Sequence, residues 1–374
     1  MKKRTVLLSV LLSAVLLVSA AAIGGDASDP LISLDYLKTV FSPSAAEAVG
    51  QRINKADQAI RDEADKKIRS AVGAAQDTAA AALDFTPIWS ESRFKQSDRI
   101  NGVPGTQFLL LAGEASAALE QGVLVDASDG VEVKSGAALQ PMHRYLLAED
   151  STGGVAVSSR TAVIQYSGSY RLAPSDGPLD YNAMAYALKQ LGLFRGSDIA
   201  YGSGFELERS LTRVEALVML IRLLGEEQAA KDSTAALPFT DVPDWATRYV
   251  AYAYDKGYTN GVGNRRFAPS SPASSDMYVE FLLRALGYSS TAQRDISDAA
   301  ARGEKAGVLT AKEALQLKAQ PFLRADVAYL SFYALETPVA GSGTPLHQKL
   351  ESAGVFTGEA YRGAKALVTS ARLS

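Results

Sequence analysis

The sequence predicts a multidomain α+β protein: an N-terminal helical stem, a small all-β domain and a C-terminal all-α module of three repeats. Three observations predict it. An alanine-rich, proline-free stretch with apolar residues three and four apart runs up to Leu83. Short apolar runs separated by Gly, Asp and Ser clusters fill residues 85–172. A helix, glycine loop, helix pattern recurs from Leu179 onward. Spacing of three and four is the period of one helix face, whereas short runs at close, regular spacing are the pattern of strands. A recurring two-helix unit cannot bury its apolar face alone, so its copies must pack together.

The chain has 374 residues, a formal net charge of −3, 47% apolar residues and no cysteine. Its length leaves room for two or three domains. Without cysteine there are no disulfides, thiolate metal sites, cysteine nucleophile or lipidated cysteine. The two histidines, His143 and His347, are far apart in sequence, so metal-ligand spacing is absent, and neither metal nor cofactor is expected. A weak net charge gives no electrostatic reason to expect nucleic acid or an anionic membrane as partner.

Taken in order, Lys2, Lys3 and Arg4 precede an apolar stretch from Thr5 to Val18, then small residues. This reads as a signal peptide over residues 1–22, with cleavage after Ala20 or Ala22; the alternative is a retained anchor helix. The stretch is short for a bilayer span, so the mature form is expected to be secreted and free of membrane. Residues 23–84 form the stem. Val49, Ile53, Ala56, Ile60, Ala64, Ile68 and Val72 make a narrow stripe, which fits either a coiled-coil arm for self-association or a helix lying on a neighbouring domain.

Residues 85–172 carry strand-like runs at 106–111, 122–125, 131–133, 144–147, 155–157 and 162–166, with Asp129-Gly130 and Ser151-Thr152-Gly153-Gly154 as turns. They read as a small sandwich or barrel. His143, beside Arg144, reads as a turn or strand-edge residue.

Residues 173–374 hold the repeats, at about 179–229, 238–288 and 293–337, and a tail at 341–374. The first copy runs from the helix at Tyr181 through Gly192 to a second helix opened by Leu211-Thr212-Arg213-Val214-Glu215. Thr212 and Glu215 have capping-box spacing. Arg213 falls at the first helical position, where a guanidinium beside unpaired N–H groups suits an anion; the alternative is a well-capped core helix. The second copy reads Phe239-Thr240-Asp241-Val242, Trp245-Ala246, Gly257 to Gly261, Phe267-Ala268-Pro269, then a helix from Ser274. The third is more diverged and places Leu323-Arg324-Ala325-Asp326 at its second helix. Leu346 to Ala353 in the tail reads as another first helix, with no second signature helix after it.

These motifs, in this order, resemble the S-layer homology (SLH) domain family, whose Ile-Thr-Arg-Ala-Glu signature is similar to Leu211-Thr212-Arg213-Val214-Glu215. The resemblance implies a pseudo-threefold helical module that binds secondary cell-wall polysaccharide, typically pyruvylated, in grooves between repeats. It implies that Arg213 meets the ligand carboxylate and Glu215 orders the helix start. Trp245 then offers an apolar face to the sugar, or packs in the core with Tyr249 and Tyr252. Gly257 and Gly261 let the backbone approach. In copy two the signature becomes Ser274-Ser275-Asp276-Met277, which keeps the capping hydroxyl and loses the charges. Copy three keeps Arg324 and Asp326 without the hydroxyl, which favours an anion site there too. Only Arg213 with Trp245 has both halves of the pattern.

The expected function is that of a non-catalytic cell-surface protein anchored to the bacterial wall or S-layer surface. The alternative is a lattice subunit whose repeats mainly make protein contacts. There is no Gly-x-Ser-x-Gly elbow, His-Glu-x-x-His, P-loop or EF-hand pattern. Paired carboxylates of a glycosidase need only converge in space, but the β-region is small for a hydrolase, so an enzyme is not expected.

Overall fold

The computed structural model describes residues 83–199, 201–289 and 295–374, together with Lys55. The expected signal peptide lies outside the described residues. So does the stem, with its proposed self-association, apart from Lys55 and residues 83–84.

Nine strands form one antiparallel sheet: β1 (Asp84–Lys95), β2 (Arg99–Gly102), β3 (Gln107–Ala112), β4 (Ala115–Gln121), β5 (Leu124–Asp126), β6 (Val131–Val133), β7 (Arg144–Leu147), β8 (Thr152–Val157) and β9 (Thr161–Ala173). The long strand β9 organises it. β9 pairs with β1 along 161–170, with β3 over 163–167 and with β2 over 170–173. From β2 the sheet continues through β8 to β4, and from β3 through β7 and β5 to β6. Both arms supply one core, with Ile100, Ala117 and Val155 meeting Phe108, Leu124 and Tyr145. The free side of β4 is bonded by the segment after β6: the Ala117 N–H donates to the Ala137 carbonyl at 2.9 Å and the Leu139 N–H to the Ala115 carbonyl at 2.8 Å. The sheet therefore curls close to a barrel, which protects an edge that would otherwise be open.

Ten helices are found among the described residues. They are α1 (Tyr181–Gln190), α2 (Arg213–Leu223), α3 (Glu227–Lys231), α4 (Thr247–Asp255), α5 (Ser275–Ala285), α6 (Ala299–Lys305), α7 (Ala311–Ala319), α8 (Arg324–Ala334), α9 (Leu346–Ser352) and α10 (Gly358–Ala366). One apolar core runs through them, from Met184 and Leu188 through Leu217, Leu220 and Tyr278 to Leu330 and Leu350. The tail does carry a second helix, α10, capped by Thr357 and docked through Tyr361 and Ala364. The third copy has an extra helix, α7, opened by a Thr310–Glu313 capping box.

The expected fold class needs correction. A small β domain and a separate all-α module require a boundary that few contacts cross, but residues 83–374 are a single unit. Buried side chains tie sheet to helices. Arg93 of β1 donates Nε to Asn182 Oδ1 of α1 at 2.8 Å, donates to the Gly202 carbonyl at 3.0 Å, and pairs with Glu208. Asn182 returns a bond to the Phe94 carbonyl at 3.0 Å. Arg160, at the start of β9, pairs with Asp326 of α8. Alternation in the sequence revealed the short central strands. It did not reveal β1, which is polar, contains Pro87 and shifts register between Thr86 and Ser90, or β4, whose alanine-rich sequence favours a helix until tertiary pairing overrides it.

Candidate functional site

The start of α2 is capped as its spacing predicts. Thr212 Oγ1 accepts from the Glu215 N–H at 3.4 Å, and Glu215 Oε2 accepts from the Thr212 N–H at 2.7 Å. The remaining N–H groups of the first turn are also filled. Arg213 donates its backbone N–H to the Ser271 carbonyl at 2.8 Å, and Val214 donates to the Pro269 carbonyl at 3.1 Å. Both carbonyls belong to the loop of the second copy. Helix α8 is seated in the same way, Arg324 and Ala325 donating to the Arg209 and Leu207 carbonyls. The helix terminus thus has no free N–H for an anion, contrary to the sequence expectation, and any anion must be met by the Arg213 side chain.

That side chain is 9% exposed. Its guanidinium lies over the Phe267 ring at 5.0 Å and over the Phe281 ring at 5.4 Å. One nitrogen donates to Thr259 Oγ1 at 3.4 Å, while among the described residues the buried Nε has no hydrogen-bond partner. Among the described residues no carboxylate is paired with it. Burial, and secondarily the nearby Arg284, push its pKa down to about 10, so it remains charged at neutral pH. A cation buried without a counter-charge is costly, and the cost falls when an anion arrives.

Arg213 faces a cavity of about 310 Å³ lined also by Thr259, Asn260, Gly261, Val262, Gly263, Met277, Glu280, Phe281, Arg284 and Ile296, a size within the roughly 300–1,000 Å³ of small-ligand pockets. Gly261 has a φ of +70°, and a Cβ there would collide with the Phe239 ring and the Arg266 carbonyl. Only glycine lets this turn pass beside the cavity. Glu280 and Arg284 form a buried i, i+4 pair on α5, Arg284 Nε to Glu280 Oε1 at 2.6 Å. Sequence reading missed both, though a Glu and an Arg four apart inside an apolar run already mark a buried pair.

The other expected site residues do not join this cavity. Glu215 caps α2 and pairs with Arg209 at 2.7 Å. Gly257 ends α4 with a φ of +77°. Trp245 sits in the short 3-10 turn Asp244–Ala246 and is 59% exposed, so it is not core, but it does not line the cavity. Arg324 is buried over the Phe194 ring at 5.5 Å and donates Nε to the Phe205 carbonyl at 3.0 Å. Asp326 accepts from the Leu323 N–H at 2.7 Å and pairs with Arg160. The charges kept in copy three therefore have protein partners, which accounts for their presence without an anion. A larger, more open cleft of about 830 Å³ lies between sheet turns and helices. Of its charged residues, Arg160, Glu208 and Arg372 are ion-paired and Glu114 and Lys312 are exposed to solvent, so among the described residues it lacks the buried unmet charge found at Arg213.

The family model for the S-layer homology domain matches residues 238–274, the stretch that contains Trp245, Gly261 and the Phe267 loop. The match covers one copy, and so gives no support to an all-α module of three repeats. A surface layer protein of Brevibacillus choshinensis is 27% identical over 202 residues, which is 53% of this chain and 15% of the relative. A middle cell wall protein of Brevibacillus brevis is 32% identical over 104 residues, 27% of this chain and 10% of the relative. An endoglucanase of a Bacillus species is 35% identical over 79 residues, 21% of this chain and 8% of the relative. The chain thus spans no more than 15% of the length of these relatives. On this evidence the chain is an S-layer homology domain-containing protein of the cell surface, associated with the cell wall.

Proposed function

We propose that this protein is a non-catalytic wall-anchored protein, and that the Arg213 cavity takes the anionic group of a secondary cell-wall polysaccharide, such as a pyruvyl carboxylate. One observation carries the reading: a buried guanidinium with an unpartnered Nε, charged at neutral pH, facing an open cavity. A charge-assisted bond to a carboxylate supplies the missing partner and is worth about 1.5–3 kcal/mol. The exposed ring of Trp245 is left for the part of the polymer that extends beyond the anionic group. The name of the surface layer relative fits a second reading, a lattice subunit, but packing between proteins gives an inward-facing guanidinium no role.

The test is co-sedimentation of the full chain with isolated cell-wall sacculi, because the helices are packed on the sheet and are not to be cut from it. Wild type is expected to pellet with intact sacculi. Mild acid removal of pyruvyl groups and Arg213→Ala are each expected to weaken pelleting about tenfold or more. Equal pelleting in all three samples rejects the site.

A further inference from the structure

We propose that Asp126, Asp129 and His143 form a binding site for one divalent transition-metal ion that accepts imidazole, such as Zn²⁺. The site belongs to the sheet and is separate from the Arg213 cavity, which none of the three residues lines.

His143 Nδ1 lies 2.8 Å from Asp126 Oδ2 and 3.7 Å from Asp129 Oδ2, and the three ligand atoms all fall within 4.8 Å of one another. Among the described residues this is the one set of its kind. Ligands about 2.0–2.2 Å from a tetrahedral ion stand about 3.4 Å apart. A small rotation of the half-exposed Asp129 side chain therefore brings all three onto a single ion. Neither histidine has metal-ligand spacing in the sequence. His143 meets the two carboxylates through the pairing of β5 with β7, which sets Asp126 opposite Tyr145.

Contacts from outside the three side chains hold the ligands in place. Asp126 is 2% exposed. Its Oδ1 accepts from the Ser128 and Asp129 N–H groups at 2.9 and 3.3 Å, which leaves Oδ2 for His143. The Ala127 N–H donates to the Arg144 carbonyl at 2.8 Å, and the Arg144 N–H donates to Ser128 Oγ at 3.0 Å. These two bonds stitch the Asp126 turn to the segment that carries His143. The buried Tyr145 hydroxyl accepts from the Gln140 N–H at 2.7 Å and fixes that segment from its other side. Ligand atoms fixed by their surroundings lose little freedom when an ion binds.

Charge and donor type set the class of ion. Two carboxylates face one imidazole, and among the described residues no Lys or Arg is paired with either carboxylate. Arg144 is turned away, onto Gln107 and over the Trp89 ring at 5.2 Å. The set therefore favours a cation. A nitrogen with two carboxylate oxygens suits Zn²⁺ or a related transition ion, whereas Ca²⁺ and Mg²⁺ take oxygen ligands. The side chains of Asp129 and His143 are 50% and 23% exposed, which gives an ion a path in and leaves water on its outer side. Nδ1 must give up its proton to bind a metal, so ion and proton compete for that one nitrogen. The ion replaces a single hydrogen bond by bonds that tie the start of β7 to the turn after β5.

The experiment dialyses the full chain against chelator, then against chelator-free buffer, and titrates it with Zn²⁺ and, separately, with Ca²⁺ by calorimetry. The variants are His143→Gln and Asp129→Asn, each first checked for its thermal midpoint. Wild type is expected to bind one Zn²⁺ per chain saturably, and Ca²⁺ at least about tenfold more weakly. Losing a residue that merely orients a ligand costs about 10–100-fold in metal affinity, so losing a ligand should cost about tenfold or more in either variant. Zn²⁺ should also raise the thermal midpoint of wild type and leave that of His143→Gln in place, a readout that a hydrogen bond between His143 and Asp126 alone does not produce. Absence of saturable Zn²⁺ binding overturns the proposal, and so does Ca²⁺ binding as tight as Zn²⁺ binding. Full Zn²⁺ affinity retained by either folded variant assigns the ion to other groups and overturns it too. If one variant fails to fold, the other decides alone.

Discussion

The guanidinium of Arg213 lies 5.0 Å from the centre of the Phe267 ring, and that contact, rather than an ion pair, holds its charge in place. A cation over an aromatic face gains about 2 kcal/mol at most in a desolvated place, while burying a charge without a partner costs more. The fold is therefore strained at Arg213. Arg213→Met keeps an unbranched apolar stem between Phe267 and Phe281 and removes the charge. It is expected to raise stability by about 1 kcal/mol or more and the thermal midpoint by roughly 2–4 °C, while weakening retention on sacculi about tenfold or more. A lower midpoint for Arg213→Met, measured by calorimetry, would show that the charge is already satisfied without ligand.

Gly261 and Gly263 both have positive φ and both line the cavity, yet they should respond differently to alanine. At Gly263 a Cβ meets open space, so only backbone strain is added, about 1 kcal/mol. At Gly261 it meets the Phe239 ring and the Arg266 carbonyl, which adds an overpacking cost of about 1–3 kcal/mol. Gly261→Ala should lower the denaturation midpoint more than Gly263→Ala and also impair sacculus binding. Equal effects on stability would count against the close approach.

The parts of this arrangement legible in the sequence are those set by local chemistry. Thr212 and Glu215 announced their capping box because both partners lie within one turn. Gly257, with a φ of +77° just past α4, is a helix stop set by the same kind of local chemistry. The contacts that define the cavity are long-range. The Thr259 hydroxyl reaches Arg213 only because the first and second copies pack together. Arg324 and Arg213 look alike in sequence, and only the fold separates them: the Phe205 carbonyl lies beside one, and a cavity opens in front of the other. The division into separate β and α domains failed on Arg93, a single charged residue in a polar strand whose partners Asn182 and Glu208 are remote in sequence.

Arg93 yields its own prediction. Its side chain is 4% exposed and that of its partner Glu208 is 10% exposed. Removing one partner of a buried pair leaves the other charge uncompensated, at about 3–5 kcal/mol. Arg93→Met strands Glu208, whose remaining partner among the described residues is the Thr161 hydroxyl at 2.8 Å, and strips the bonds to Asn182 and Gly202. The chain has two tryptophans: Trp89 lies in β1 and Trp245 beside α4. Single-tryptophan variants, Trp89→Phe and Trp245→Phe, therefore report the helices and the sheet separately. In the Arg93 background the two fluorescence transitions should coincide, as one cooperative unit requires. With Arg93→Met they should fall apart, and coincidence retained in that variant would show that Arg93 does not couple the halves.

The turn between β5 and β6 brings Asp126 and Asp129 to His143, the residue before β7, with His143 Nδ1 2.8 Å from Asp126 Oδ2. Burial opposes the charge on Asp126, but hydrogen bonds from His143 and from the Ser128 and Asp129 backbone outweigh it, so its pKa falls below the ordinary 3.8. The same hydrogen bond raises the His143 pKa above 6.5, against some desolvation. A raised histidine stabilises the fold fully below its ordinary pKa, and this is lost as pH rises through the folded value. A lowered carboxylate stabilises above its ordinary pKa, and this is lost as pH falls through the folded value. Both contributions are complete only between the two ordinary values, 3.8 and 6.5. The difference in thermal midpoint between wild type and His143→Ala should therefore be greatest in that window, shrink as pH rises above it and shrink again in stronger acid. Sheet-specific melting, followed at Trp89 in the Trp245→Phe background, is the readout. A difference that stays flat from about pH 3 to about pH 9 would mean that the His143–Asp126 contact does not form in solution.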